Sequence, residues 1–85
     1  MITARQIRAG RALLGWSQQE LADRAILSRN AVAKMERGEV DPRTSTIEAV
    51  RRVLEQNGVM FVAASGRVGE GVRALTPIDD GSPAK

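Results

Sequence analysis

The sequence predicts a mainly α protein, a bundle of four to five helices closed by a short C-terminal β-hairpin. Three observations carry that expectation. Four stretches before residue 58 pair a hydroxyl cap with apolar residues at helical spacing. Two short β-prone runs follow, separated by a glycine-rich turn. The 85 residues, 42% hydrophobic and 27% charged, suit one domain with one modest core.

The first helix is expected from Thr3 to about Leu14. Thr3 with Gln6 fits a capping box, and Ile2 with Ile7 fits the hydrophobic staple around it. Ile7, Arg11 and Leu14 share a face. Gly10 costs about 1 kcal/mol against Ala inside a helix, and either admits another backbone or is a tolerated flaw. Gly15 ends the helix. The second helix spans Ser17–Ala25, with Ser17 and Glu20 as a second capping box and Leu21, Ala22 and Ala25 inward. Trp16 is expected to pack beneath its first turn.

The third helix runs from Ser28, its cap, to about Arg37, with Val32 and Met35 inward and Gly38 as the stop. Pro42 prevents the next loop from remaining helical. The fourth helix spans Ser45–Gln56, capped by Thr44 or Ser45, with Ser45 and Glu48 matching a third capping box. Ile47, Val50, Val53 and Leu54 form its apolar stripe, and Asn57-Gly58 terminates it. Val59–Ala63 and Val72–Leu75 flank the turn Ser65–Gly71 as hairpin strands. An isolated two-stranded hairpin is marginal in water, so this one must pack on the helices or pair with a second chain. Residues 76–85, with two prolines and no periodicity, are expected to be a disordered tail.

Composition narrows the chemistry. The chain has no Cys and no His, which removes disulfides, thiolate chemistry, Cys/His zinc sites and the usual general base. The glycines near residue 69 lack the following helix and Lys-Ser/Thr pair of a phosphate-cradling loop. The expectation is therefore no enzyme, no metal and no cofactor. One Trp, one Phe and no Tyr leave no stacking platform for single strands. No apolar run approaches the ~20 residues of a membrane helix, and the start lacks a signal peptide's apolar core, so a cytoplasmic protein is expected. The net charge is +3, and that excess lies within residues 1–55, which hold ten of the thirteen Lys and Arg and seven of the ten Asp and Glu. Such an excess points weakly to nucleic acid.

The informative stretch is Gln18–Arg37. Only Ile26 and Leu27 join its two helices, which forces a steep crossing and defines a helix-turn-helix unit. Steep crossing demands a small residue where the backbones meet, and Ala22 supplies it. Arg29, Asn30, Ala33, Lys34 and Arg37 then form a free polar face suited to the major groove.

Ser17-Gln18-Gln19-Glu20-Leu21-Ala22, then Ser28-Arg29-Asn30-Ala31-Val32, then Glu36-Arg37-Gly38-Glu39, resembles the Cro/phage-repressor (XRE) type of bacterial helix-turn-helix regulator. The resemblance covers roughly Ile7 to Leu54. It implies a lambda-repressor-like bundle and double-stranded DNA as partner. It also implies base-reading roles for Arg29, Asn30 and Lys34, and phosphate contacts from Gln18, Ser28, Arg37 and Arg43. Arg11 and Glu36 match a largely buried ion pair that ties helices together. One departure stands out: the family's usual turn glycine is Ile26 here. If that position needs positive φ, a β-branched residue costs on the order of 1–2 kcal/mol.

The expected organisation is a DNA-binding unit over 1–58, a hairpin over 59–75 as a candidate dimerisation element through Phe61 and its apolar neighbours, and a tail over 76–85. The expected function is sequence-specific DNA binding by a transcriptional regulator, a repressor acting as a homodimer. An antitoxin or adaptor of the same fold, working through a protein partner, is the alternative. No small-molecule domain is evident.

Overall fold

The computed structural model describes residues 1–75, so the tail expected over 76–85 lies outside the described residues. Four helices, α1 (Ala4–Leu13), α2 (Gln18–Ala25), α3 (Arg29–Glu36) and α4 (Ser45–Gln56), precede strands β1 (Val59–Val62) and β2 (Gly71–Ala74). The strands form an antiparallel pair with Val59 opposite Ala74 and Val62 opposite Gly71.

Each helix begins where a hydroxyl can replace a missing intrahelical acceptor. Thr3, Ser17, Ser28 and Thr44 accept from the backbone N–H groups of Gln6, Glu20, Ala31 and Ile47. Only the Thr3–Gln6 box closes in both directions. The second expected box forms by half: Glu20 instead pairs with Arg24 one turn on, at 3.3 Å. The third does not form, because Thr44 is the cap and Ser45 is already the first helical residue. Gly38 ends α3 with φ of 74°, and the next N–H, that of Glu39, reaches back to Lys34 O at 3.0 Å.

One core unites helices and hairpin. Ile2, Ile7, Leu21, Ala22, Val32, Met35, Ile47, Val50, Leu54 and Val59 are buried together. Gly10 is buried among side chains rather than against another backbone. A Cβ there would sit 3.3 Å from Val59 Cγ1 and 3.4 Å from Leu54 Cδ1, so the hairpin root settles into the space it leaves.

The hairpin packs on α1 and α4. Gln6 locks it there: its Nε2 donates to the carbonyls of Val62 (3.0 Å) and Gly71 (2.9 Å), while its Oε1 accepts from Thr3 N. Glu70 adds a clasp, accepting from Thr3 Oγ1 at 2.9 Å and from Arg5 Nη2 at 2.9 Å. The first turn of α1 contains no acidic residue, so Glu70 supplies from a distance the negative charge that a helix N-terminus favours.

The hairpin alternation decides which side chains meet the helices. Val59 and Phe61 face the helices, whereas Met60 and Val62 face out. Phe61 packs against the core beside Gly10. Its ring is therefore half-buried against this chain's own core.

Ile26 occupies the left-handed region, with φ 58° and ψ 50°, and its side chain is 91% exposed. The strain foreseen for a β-branched residue is present, and burial of the side chain does nothing to offset it. Ile26→Gly should release on the order of 1–2 kcal/mol of strain and lose about 0.5–1 kcal/mol to a more flexible unfolded chain. The expected net result is a melting temperature raised by a few degrees in thermal denaturation. A lower melting temperature for the glycine variant would contradict the strain.

Candidate nucleic-acid interface

The candidate reading surface is the outer face of α3. Its inner side is committed, with Val32, Met35 and Glu36 buried. Arg29, Asn30 and Lys34 are all exposed, with Asn30 and Lys34 one turn apart on one side and Arg29 at the first residue of the helix. None of the three makes a side-chain hydrogen bond or ion pair among the described residues. Three donor-bearing side chains are thus gathered on one helix with no internal partner.

The steep turn sets that presentation. Ala22 is fully buried, and its carbonyl accepts from Leu27 N at 2.8 Å. The α2 backbone therefore holds the residue just before the α3 cap directly. A bulkier side chain at position 22 would push the two helices apart.

A buried carboxylate holds the frame from the other side. Glu36 is 4% exposed. Its Oε2 accepts from Arg11 Nε at 2.7 Å, and its Oε1 accepts from Arg11 Nη2 at 2.9 Å and Gln18 Nε2 at 3.0 Å. Arg11 Nη1 also donates to Trp16 O at 3.0 Å, and Arg8 donates to the Glu36 carbonyl. The pair is bidentate, the geometry that gives charge-assisted bonds their strength. Burial pushes the Glu36 carboxyl up, but hydrogen bonds from Arg11 and Gln18 and the charges of Arg11 and Arg8 outweigh it. The group is held below its usual value. Arg11 is held above its own, chiefly by the bond to Glu36.

The expected phosphate ligands stand in different states. Gln18 is half-buried and opens α2, but one of its amide hydrogens is directed inward to Glu36. The Ser28 oxygen is engaged as the α3 cap, which leaves its hydroxyl hydrogen to donate elsewhere. Arg37 is paired with Glu39 at 2.5 Å and Arg43 with Asp41 at 3.4 Å, all four side chains being exposed. Exposed pairs of this kind are worth about 0–1 kcal/mol. An incoming phosphate can therefore displace the acid partner at small cost.

Arg8, Arg24 and Gln18's inward bond were not found by sequence reasoning. Arg24 lies 4.3 Å from the centroid of the half-buried Trp16 ring, which places that tryptophan beneath α2. The apolar period that marks core positions says nothing about where a long polar side chain will turn. Among the described residues, no cluster of acidic groups could hold a metal. No helix among them is long and apolar enough to cross a membrane.

A sequence model of the helix-turn-helix family matches residues 7–57. Among solved structures, the chain is similar to the DNA-binding domain of the P22 C2 repressor (residues 1–76), determined in solution by nuclear magnetic resonance. That match has 27% identity and a TM-score of 0.57, over 65% of this chain and 72% of the other. No curated protein matches the chain.

Two outcomes follow from the buried pair. Arg11→Met should cost about 3–5 kcal/mol because it strands the Glu36 charge, and adding Glu36→Leu should recover most of that loss. Thermal melts of both variants measure it, and an Arg11→Met melt indistinguishable from wild type would refute it. The second outcome concerns acid. A carboxyl whose folded value is depressed stabilises the fold above its unfolded value and loses that contribution as pH falls through the folded one. The wild-type melting temperature should therefore drop below about pH 4.3. The Arg11→Met/Glu36→Leu chain should drop less over the same range, and equal drops would show that Glu36 is not the group responsible.

Proposed function

This chain belongs to the helix-turn-helix family of the Cro/phage-repressor (XRE) type, and on that premise we propose that it acts as a transcriptional repressor that reads double-stranded DNA by sequence. One observation carries the reading. Arg29, Asn30 and Lys34 are exposed on α3 with no side-chain partner among the described residues, while Val32, Met35 and Glu36, which hold the helix in place, are buried. A polar helix face of this size suits the major groove.

The division of labour follows from donor geometry. An arginine fork matches guanine O6 and N7, and an asparagine amide matches adenine N6 and N7, which suits Arg29 and Asn30 to base edges. Lys34, a compact ammonium one turn further on, suits a guanine or a phosphate. At the N-terminus of α2, unpaired backbone N–H groups and the helix dipole favour a phosphate, and the second amide hydrogen of Gln18 can join them. Ser28, Arg37 and Arg43 add donors to phosphates around the groove.

A single eight-residue recognition helix reads only a few base pairs, so the useful form is a homodimer on a two-fold site. The described residues carry no second recognition module. Repression by occupancy of the site fits a DNA-binding unit of this kind, and the similarity to a repressor's DNA-binding domain supports it.

Selection from random duplexes with the purified chain, repeated across salt concentrations, tests the proposal. The wild type should enrich a palindromic site. Arg29→Ala should relax the preference at one base position of each half-site and cost about 1–3 kcal/mol there. Gln18→Ala should weaken all sites alike, because phosphate contacts carry no sequence information. An Arg29→Ala preference identical to wild type would contradict the assignment of α3 as the reader.

A further inference from the structure

We propose that Lys34 is an acylation site, modified at Nζ by an acyl phosphate, and that the modification releases the chain from DNA. Only the release rests on the functional reading above. The chain carries eleven arginines and two lysines. Among the described residues every cationic side chain but one is an arginine, and the exception is Lys34. A guanidinium stays protonated and does not attack an acyl carbon, whereas a lysine amine does so once it is deprotonated. Lys85 lies outside the described residues, and the α-amine of Met1 is the other nitrogen of this kind. An acyl donor therefore meets a single side-chain amine among the described residues, and that amine stands on the reading helix. Lys34 is exposed and makes no side-chain hydrogen bond or ion pair among the described residues.

The neighbours of Lys34 choose the donor. Asn30 lies four residues before it and Arg37 three residues after it, the spacings that bring side chains together on a helix surface. The bond from Arg37, together with the charges of Arg37 and Lys34, holds the Glu39 carboxyl below its usual value. Both cations thus act on one anionic position. The Arg37–Glu39 pair is exposed and costs little to open, so a phosphate can take that position in place of Glu39. The guanidinium fork matches phosphate oxygens, and the Asn30 amide adds a donor. An acyl phosphate held there brings its carbonyl carbon to Nζ. In the reaction the ammonium first gives one proton to solvent. The Nζ lone pair then bonds to the acyl carbon. The bond from that carbon to the bridging oxygen breaks with its electron pair, inorganic phosphate leaves, and a second Nζ proton passes to solvent. The product is a neutral amide with one N–H, which no longer pairs with a DNA phosphate as a cation.

Acetyl phosphate is the probe, and a neutral thioester, S-acetyl-N-acetylcysteamine, is the donor with no phosphate to hold. Mass spectrometry of the digested chain compares acetylation of Lys34 with that of Lys85 in the same molecules. The ratio of Lys34 to Lys85 is expected to be about threefold or more higher with acetyl phosphate than with the thioester, because only the first donor is positioned. Arg37→Ala should bring the acetyl phosphate ratio down to the thioester ratio. Its own thioester ratio should match wild type, which shows that Lys34 is still presented. Equal ratios for the two donors in wild type, or an Arg37→Ala chain that keeps the wild-type preference, would overturn the site. The release is read on the selected duplex. Chain acetylated at Lys34 should bind it about tenfold more weakly, whereas Lys34→Arg put through the same treatment should keep its untreated affinity. Undiminished binding by the acetylated wild type would overturn the release. Failure here separates from failure of the functional reading. A chain acetylated as expected that enriches no duplex contradicts the DNA reading alone, and a chain that enriches a duplex but shows no donor preference at Lys34 contradicts the modification alone.

Discussion

Glu36 sits where α1, α2 and α3 meet, and its carboxylate is bonded to two helices besides its own. Arg11 reaches it from α1 and Gln18 from α2, while Arg8 fixes its carbonyl. The position of α3 is therefore set by directional bonds at its C-terminal end and by the tight backbone contact at Ala22 near its start. Apolar packing alone is non-directional and would let a short helix slide or roll. A helix of eight residues cannot hold its own orientation, so the buried pair supplies a constraint that the small core does not. Such a pair is weak evidence for added stability, since two charges must leave water to form it. Its effect lies in geometry, because alternative placements of α3 would strand one of the charges.

The same logic sorts the basic residues. A net charge of +3 says little about a binding surface. What matters is which cations are already committed. Arg11 and Arg8 are bound to Glu36, Arg5 to Glu70, Arg24 to Glu20 and the Trp16 ring, and Arg51 to Glu55. Among the described residues Arg29, Lys34, Arg52, Arg67 and Arg73 make no ion pair, and Arg37 and Arg43 hold only exposed ones. Four of these seven, Arg29, Lys34, Arg37 and Arg43, lie on α3 and the loop that follows it, and the other three are spread over α4 and the hairpin.

Much of this was legible in the residues because it depends on local chemistry. Hydroxyl caps, helix-ending glycines and the 3.6-residue apolar period act within a few positions, and they located all four helices to within a residue or two. The Arg11–Glu36 pair and the demand for positive φ at Ile26 came from the resemblance, since nothing local to either residue reveals them. What escaped is of two kinds. Single-residue phase was one: Thr44 and Ser45 are both good caps, and the choice between them decides whether Glu48 can close a box. Long-range polar bonds were the other. Gln6 was recognised as half of a capping box, yet its amide also binds carbonyls 56 and 65 positions away. Gln18 was read as facing outward, while part of its amide turns inward to Glu36. Phe61, the only phenylalanine, was expected at a contact between copies, and its half-burial against the helices was not foreseen.

The central claim is that α3 is held as a rigid reader on a frame that does not move when DNA arrives. Titrating the nitrogen-15-labelled chain with its selected duplex tests this most directly. The account predicts large shifts for the backbone amides of Arg29, Asn30 and Lys34, and for the amide at the start of α2. The Arg11 Nε–H resonance, locked against Glu36, should stay at its free position. Shifts concentrated on the hairpin, or a displaced or broadened Arg11 Nε–H signal, would contradict it.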